Sequence, residues 1–508
     1  MITQKELVKW KPIYPLTGNG FYFGRIGSGK SFKLKATVEY YYEMGAKIWD
    51  MFGGKRGEGP FWCFKSDELE LWREYEKEVG VMEKYGPKEF PVNLVYPFFK
   101  DTLPNELPEK KPNVSCSLMT IYFKDITIQD ISYILGQVSP NAKYIWNYII
   151  KNLPSESNGQ DILNLFNKKF KKYKDLNLYK NFILPLVDAQ ILQGKGCKYN
   201  IDFVKEAKDK ETIFVLCDDF TPQDFKFFIM GYIIRNLFDL VKHDLIPKPQ
   251  ITMFREMSAF MKIQDAGNQD NLQIQNFRNF ICDIARYARS GCYIFGDTQS
   301  PAEVRGLIEG SEDLLCVSEM PSESDREAAL EQMRKDKRIS PAQIAYISMM
   351  PRSEMVVIER GKKAVRIRKV QPPKSACWNE KSGNFFTAWK KKENVYKDIR
   401  EIKEEIDNSY AEAKFHTYEI DGEEVDMKND EDDVEKEIEE EEVEVVEDEE
   451  ETQGGVMVAQ SPHAAQVSKF KSSPRDSNIT TTKKSKIDEE MERLERELES
   501  SKNMELRA

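Results

Sequence analysis

One eight-residue loop constrains this 508-residue chain more than anything else in it: Gly24-Arg25-Ile26-Gly27-Ser28-Gly29-Lys30-Ser31. It satisfies Gly-x-x-x-x-Gly-Lys-Ser/Thr in full. An apolar run, Phe21-Tyr22-Phe23, precedes it, and a helical pattern, Phe32–Tyr42, follows. Glycines let such a loop curl so that successive N–H groups face one point, and the helix N-terminus adds a dipole that favours anions. The pattern predicts binding of ATP phosphates, with Lys30 reaching the β- and γ-phosphates and Ser31 holding Mg²⁺. A strand, a phosphate loop and a helix in that order demand an α/β chain.

The rest of the first 375 residues agrees with that class. Apolar runs recur at Lys47–Met51, Leu118–Phe123, Thr212–Cys217, Gln250–Phe254, Cys292–Phe295 and Leu314–Val317, with helical stretches between them. Strands spaced by helices predict a parallel sheet. Residues 127–200 read as a helical insertion that divides the core into 1–126 and 201–375. Met355–Ile358 and Ala364–Val370 read as a closing hairpin, with Arg360-Gly361-Lys362 at its turn. Residues 376–412 read as a charged helical extension, with one helix expected over Lys390–Ser409. Residues 413–485 read as an acidic, disordered tail. Ile487, Met491, Leu494 and Leu498 give 486–508 the spacing of a short amphipathic helix, fit to dock a protein partner.

Charge and rare residues exclude several function classes. The net charge is −11, but residues 419–451 hold 21 acidic side chains against two lysines. That segment carries −19, so the remainder carries +8. A basic body leaves a nucleic-acid partner open. Three histidines, at 243, 416 and 463, argue against a histidine zinc site or a Ser-His-Asp triad. The eight cysteines contain no Cys-x-x-Cys pair and sit mostly among apolar residues, as reduced thiols do. The first residues do not read as a signal peptide. The most apolar stretch, Phe227–Leu245, is broken by six polar side chains, so no membrane insertion is expected. The expected location is cytoplasmic or virion-associated.

A phosphate loop alone names no reaction. Hydrolysis also needs a carboxylate to organise Mg²⁺ and another group to orient water. Three strand ends offer candidates: Asp218-Asp219 after Ile213–Cys217, Arg255-Glu256 after Ile251–Phe254, and Gly296-Asp297-Thr298-Gln299-Ser300-Pro301 after Tyr293–Phe295. A glutamine at such a tip can sense the γ-phosphate or the attacking water. The plainer reading is that polar residues merely end these strands.

In this order the motifs resemble the FtsK/HerA superfamily of ring-forming, DNA-pumping ATPases. Ile284–Ile308 is similar to that family's sensor region, and Met119–Gly136 to the point where HerA-type proteins enter their helical insertion. The resemblance spans residues 20–375. It implies a RecA-like P-loop ATPase core, a hexameric ring, and ATP-driven movement of double-stranded DNA through a pore. Position by position, Lys30 and Ser31 match the phosphate and Mg²⁺ contacts, Glu256 the catalytic glutamate, and Gln299 the sensor glutamine. One departure stands out: the family's acidic strand ends Asp-Glu, whereas here it ends Arg255-Glu256. Three readings follow. Arg255 points away and Ser31 with waters holds the metal, or Asp218 or Asp219 supplies the missing carboxylate, or turnover is slow or absent.

Arg286, Arg289 and Arg305 are candidates for an arginine shared between subunits, though each also reads as an ordinary surface arginine. Lys168, Lys169, Lys171, Lys172, Lys174 and Lys180, interleaved with Phe170 and Tyr173, are a candidate DNA-facing cluster. A solvated helix face with inward aromatics fits them equally. The preferred function is a DNA translocase, with genome packaging as its biology. The alternatives are a nucleotide-binding assembly protein with little turnover and a soluble coupling ATPase of the conjugation type. A small-molecule kinase is disfavoured, because nothing marks a second substrate pocket or lid.

Overall fold

The computed structural model describes residues 8–9, 18–51, 59–79, 86–170, 177–257, 260, 269–287, 290–299, 312–320, 322–323, 326–327, 340–359, 366–377 and 384–411. The acidic tail, the terminal amphipathic segment and the 360–362 turn lie outside the described residues.

At the centre of the sheet, largely apolar runs form strands that are buried on both faces, as a parallel sheet flanked by helices requires. The strands are β1 (Val8–Lys9), β2 (Asn19–Phe23), β3 (Lys47–Asp50), β4 (Val92–Pro97), β5 (Glu106–Pro108), β6 (Val114–Met119), β7 (Ile121–Tyr122) and β8 (Leu192–Gln193). They continue with β9 (Ile213–Leu216), β10 (Gln250–Phe254), β11 (Cys292–Thr298), β12 (Glu312–Val317), β13 (Glu354–Glu359), β14 (Arg366–Lys369) and β15 (Tyr396–Asp398). Eleven of them make one sheet in the order β1-β14-β13-β12-β2-β11-β10-β3-β9-β4-β6. From β12 to β6 every pairing is parallel. The β13–β14 hairpin joins β12 antiparallel, as its sequence suggested. This is the α/β class expected.

Three expectations shift. Leu118–Phe123 is not one strand: β6 ends at Met119, and β7 pairs with β8 in a separate ribbon. A strand at Val92–Pro97, absent from the reading above, sits between β9 and β6. Prolines at 91 and 97 bracket it, and they mask a run this short. The single helix expected over Lys390–Ser409 is broken. A helix ends at Lys392, Asn394 takes φ +53°, and Tyr396–Asp398 leaves as β15 to pair with β5. The Trp389 indole N–H, donating to the Val395 carbonyl at 2.8 Å, fixes that turn.

The helices are α1 (Lys30–Glu43), α2 (Leu69–Val79), α3 (Ile128–Leu135), α4 (Pro140–Asn152), α5 (Gly159–Lys169), α6 (Leu184–Asp188), α7 (Phe203–Lys208) and α8 (Lys226–Lys242). After them come α9 (Gln269–Arg286), α10 (Pro341–Ile347), α11 (Phe385–Lys392) and α12 (Arg400–Ala411). Residues 127–200 carry α3 to α6 and the β8 strand. Their starts are written in sequence: Thr127 with Asp130 and Asn158 with Asp161 form capping boxes, and Ser139 caps α4 ahead of Pro140. Buried Asp130 also takes a 2.8 Å ion pair from Arg235 of α8. The Asn276 side chain of α9 donates to the Gly136 carbonyl at 2.6 Å, closing the other end of α3. The helix α12 packs back on this group through Tyr410, whose hydroxyl donates to the Leu192 carbonyl at 2.6 Å.

Gly231, in the middle of α8, lets that helix press on the ring of Tyr133. Tyr133 is fully buried and wedged against Phe277 and Phe280, so it has no room to retreat. On an exposed helix, Gly→Ala would stabilise by about 1 kcal/mol. Here the added methyl overlaps the ring, and Gly231→Ala is expected to destabilise by about 1–3 kcal/mol. Urea denaturation of the two proteins reads the sign directly.

Candidate functional site

The loop between β2 and α1 has the backbone that its glycines permit. Gly27 and Gly29 sit at φ +82° and +78°, a region costly for other residues. A Cβ at Gly24 would overlap Ser28 Oγ and come to 2.8 Å of Ser318 Cβ. The loop is tied down from both sides: the Ser28 N–H donates to the Arg25 carbonyl at 3.2 Å, and the Arg25 N–H to the Glu319 carbonyl at 3.0 Å. Beneath it lies Lys33, fully buried, whose ammonium donates to the Ser28 carbonyl at 3.0 Å and to Ser318 Oγ at 2.8 Å. Lys30 is buried at the start of α1, and Ser31 is half-buried beside it. Arg352 covers the outer side of Gly29, within 2.7 Å of where a Cβ would stand. Its guanidinium is paired with Glu68 at 3.1 Å and lies over Phe32.

Sheet order decides which strand ends meet this loop. β11 is the neighbour of β2, and β10 is the next strand out. Asp297, wholly buried near the end of β11, accepts a hydrogen bond from the Ser31 hydroxyl through Oδ2. Its Oδ1 accepts from the Glu256 backbone N–H at 2.6 Å, and its carbonyl from the Met257 N–H at 2.7 Å. One carboxylate thus joins the phosphate loop to the tip of β10. Glu256 is half-buried there, at φ +50°. A non-glycine residue held in that region stores strain, and strain of this kind gathers at functional sites. Gln299, half-buried, follows β11 directly. Lys30, Ser31, Glu256 and Gln299 therefore come together at one edge of the sheet.

Asp218 does not join them. It follows β9, four strands from β2, which at about 4.8 Å per strand is roughly 19 Å away. Its carboxylate is engaged by Lys226 at 2.5 Å. The carboxylate at Ser31 is Asp297, which the sequence reading quoted without a role. No sequence signal singles it out: it lies one residue beyond Gly296, whose pairing with Phe254 exists only once the sheet is assembled. Arg255 is buried, and its guanidinium lies 3.9 Å from Asp50 Oδ2 on β3, the far side of β10 from β11. The Trp62 indole N–H donates to the same oxygen at 2.6 Å. This placement directs the Arg255 guanidinium toward β3 and away from β11.

Of the arginine candidates, Arg286 is exposed and paired with Asp283 at 3.1 Å. Arg289 and Arg305 lie outside the described residues. In the basic cluster Phe170 is buried among Tyr144, Tyr148 and Phe166, while Lys168 and Lys180 are exposed. Lys171, Lys172, Tyr173 and Lys174 lie outside the described residues. Among the described residues no disulfide joins any of the eight cysteines, and five of them are buried. Among the described residues, no helix is long and apolar enough to cross a membrane.

No family model and no curated protein matches the sequence. Solved structures are similar to it in fold. VirB4 of Thermoanaerobacter pseudethanolicus covers 69% of this chain and 89% of its own at 12% identity and a TM-score of 0.43. The bacterial conjugative coupling protein TrwB covers 71% and 88% at 9% and 0.39. The genome packaging NTPase B204 from Sulfolobus turreted icosahedral virus 2, solved with ATP-gammaS, covers 39% and 93% at 14% and 0.22. This chain has a P-loop α/β fold.

Burial gives the site a pH signature. Desolvation pushes the Lys33 ammonium from 10.5 down to about 7, and Lys35, on the same helix, down to about 8. Between each lowered value and 10.5 the unfolded chain holds a proton that the folded chain lacks, so stability from these groups rises with pH across that window. In urea titrations at about pH 7 and about pH 9.5, Lys33→Met is expected to lose part of the wild-type gain in midpoint.

Proposed function

We propose that this chain is an ATP-hydrolysing motor of the FtsK/HerA type that moves double-stranded DNA, working as a homo-oligomeric ring. The observation that carries the reading is the Asp297 bridge, which holds the Ser31 hydroxyl and the Glu256 backbone at one sheet edge. A purely structural P-loop needs no carboxylate on its serine, whereas a hydrolase needs one to organise Mg²⁺.

In this reading the loop N–H groups and Lys30 bind the β- and γ-phosphates, and the helix dipole of α1 adds to their field. Mg²⁺, when bound, neutralises charge on the phosphate oxygens. The oxygen donors at Ser31 and Asp297 suit such a hard cation, which takes only one or two carboxylates when phosphates supply the rest. Among the described residues no cluster of three or more His, Cys, Asp or Glu could hold a metal alone. Glu256 accepts the proton of the attacking water, and Gln299 orients it. The products are ADP and phosphate. The body charge of +8 outside residues 419–451 favours DNA through its backbone phosphates. Packaging is the preferred biology, and a conjugation-type coupling ATPase is the alternative within the class.

Steady-state ATP hydrolysis, with and without double-stranded DNA, tests the reading. Wild type is expected to turn over ATP faster with DNA. Glu256→Gln is expected to lower kcat by about 10²–10⁴-fold, and Lys30→Ala to remove turnover through lost phosphate contacts. Tight ATP binding without turnover in wild type would favour the assembly-protein reading instead.

A further inference from the structure

We infer that Asp297 organises the Mg²⁺ of the bound nucleotide, so that the metal's carboxylate comes from β11 rather than β10. The inference deepens the ATP-site reading above and rests on it. Three observations converge. First, Arg255 stands where an acidic strand would present its metal carboxylate, and a guanidinium there would repel a divalent cation. Its charge is instead paired on the far side of β10, with Asp50. Second, Asp297 follows the register partner of Phe254 on β11, so it is the cross-strand neighbour of Arg255. It is wholly buried, and its Oδ2 already accepts from the hydroxyl that a P-loop serine offers to Mg²⁺. Third, its other oxygen is held by the Glu256 N–H. Few rotamers are left to it, and a pre-oriented carboxylate loses little entropy when a cation arrives.

In this chain β11 carries the carboxylate at the loop, and the tip of β10 carries a cation that Asp50 of β3 balances. Ser31 and Asp297 would be the residues that hold the metal, leaving the rest of its shell to nucleotide oxygens and water. Magnesium sheds its waters reluctantly and tolerates this sharing. Asp297 acts on the metal and not on the γ-phosphate, so its loss is expected in metal-dependent binding before it is expected in the contacts of the loop to phosphate.

The test uses the full chain and a fluorescent ATP analogue, titrated in excess EDTA and again in Mg²⁺, with bound Mn²⁺ counted by electron paramagnetic resonance. Wild type is expected to bind the nucleotide more tightly with Mg²⁺. Asp297→Asn keeps the shape and the acceptor for the Glu256 N–H. It is expected to lose about tenfold or more of the Mg²⁺-dependent gain and the ordered Mn²⁺ signal. Its affinity in EDTA is expected to stay within about threefold of wild type, which also reports an intact loop. Asp218→Asn is expected to keep the full Mg²⁺ gain. The assignment is overturned if Asp297→Asn keeps the Mg²⁺ gain, and more so if Asp218→Asn loses it. It is overturned as well if Asp297→Asn loses EDTA affinity as steeply as Mg²⁺ affinity, since its role would then be structural. Wild type that binds no nucleotide in either medium would sink the ATP-site reading, and this assignment with it.

Discussion

A single buried carboxylate, Asp297, holds the functional edge of this sheet together. It takes a hydroxyl hydrogen bond from Ser31, in the first turn of α1, and a backbone hydrogen bond from Glu256, just past the end of β10. Burying an ion without partners costs several kcal/mol, so these two donors are what make the position tolerable. Hydrogen bonds to charged groups contribute about 1.5–3 kcal/mol each. The same bonds hold Glu256 at its positive φ, and strain there persists only because the surroundings over-determine it. The geometry of the candidate water-activating group is therefore set by a residue on the neighbouring strand.

Behind the loop lies an unusual number of buried ionisable side chains. Helix α1 carries Lys33, Lys35 and Glu39, all essentially inaccessible to solvent. Each is answered locally. Lys33 reaches Ser28 and Ser318. Lys35 donates to the Ala376 carbonyl and lies over the Trp62 ring at 4.5 Å. Glu39 accepts from the Ser375 N–H at 3.0 Å and the Lys374 N–H at 2.6 Å. Removing one partner of a buried charge typically costs about 3–5 kcal/mol. The helix is thus bolted both to its own loop and to residues 374–376, and a rigid α1 keeps the N–H groups of the loop converged. Trp62 joins this network to the Arg255–Asp50 pair, since its indole also donates to Asp50. The arginine that looked out of place at the tip of β10 is one more charge in this buried band.

The short-range features of the fold were legible because their causes are short-range. Thr127 with Asp130, Asn158 with Asp161 and Ser139 ahead of Pro140 start helices where the sequence places a capping side chain. Most of the buried strands stood out as apolar runs, but β4, bracketed by prolines, did not. Legibility failed where long-range pairing overrode a local pattern. Lys390–Ser409 has helical composition throughout, yet the Trp389 indole captures the Val395 carbonyl and β15 pairs with β5 across the chain. Asp218 and Asp297 were equivalent on paper, each acidic and each ending an apolar strand. Nothing in their neighbours in sequence told them apart.

The sequence by itself determined the phosphate loop, its strand and helix, the α/β class and the residues able to serve ATP chemistry. These follow from consecutive residues acting on their own backbone, with glycines supplying the φ values and Lys30 and Ser31 supplying the donors. The tertiary structure alone decided which carboxylate stands at Ser31 and where the charge of Arg255 goes. Ser31 and Asp297 are separated by 266 positions in the chain. They meet because β11 inserts beside β2 while β9 is placed four strands away, and strand order is a property of the whole packed sheet.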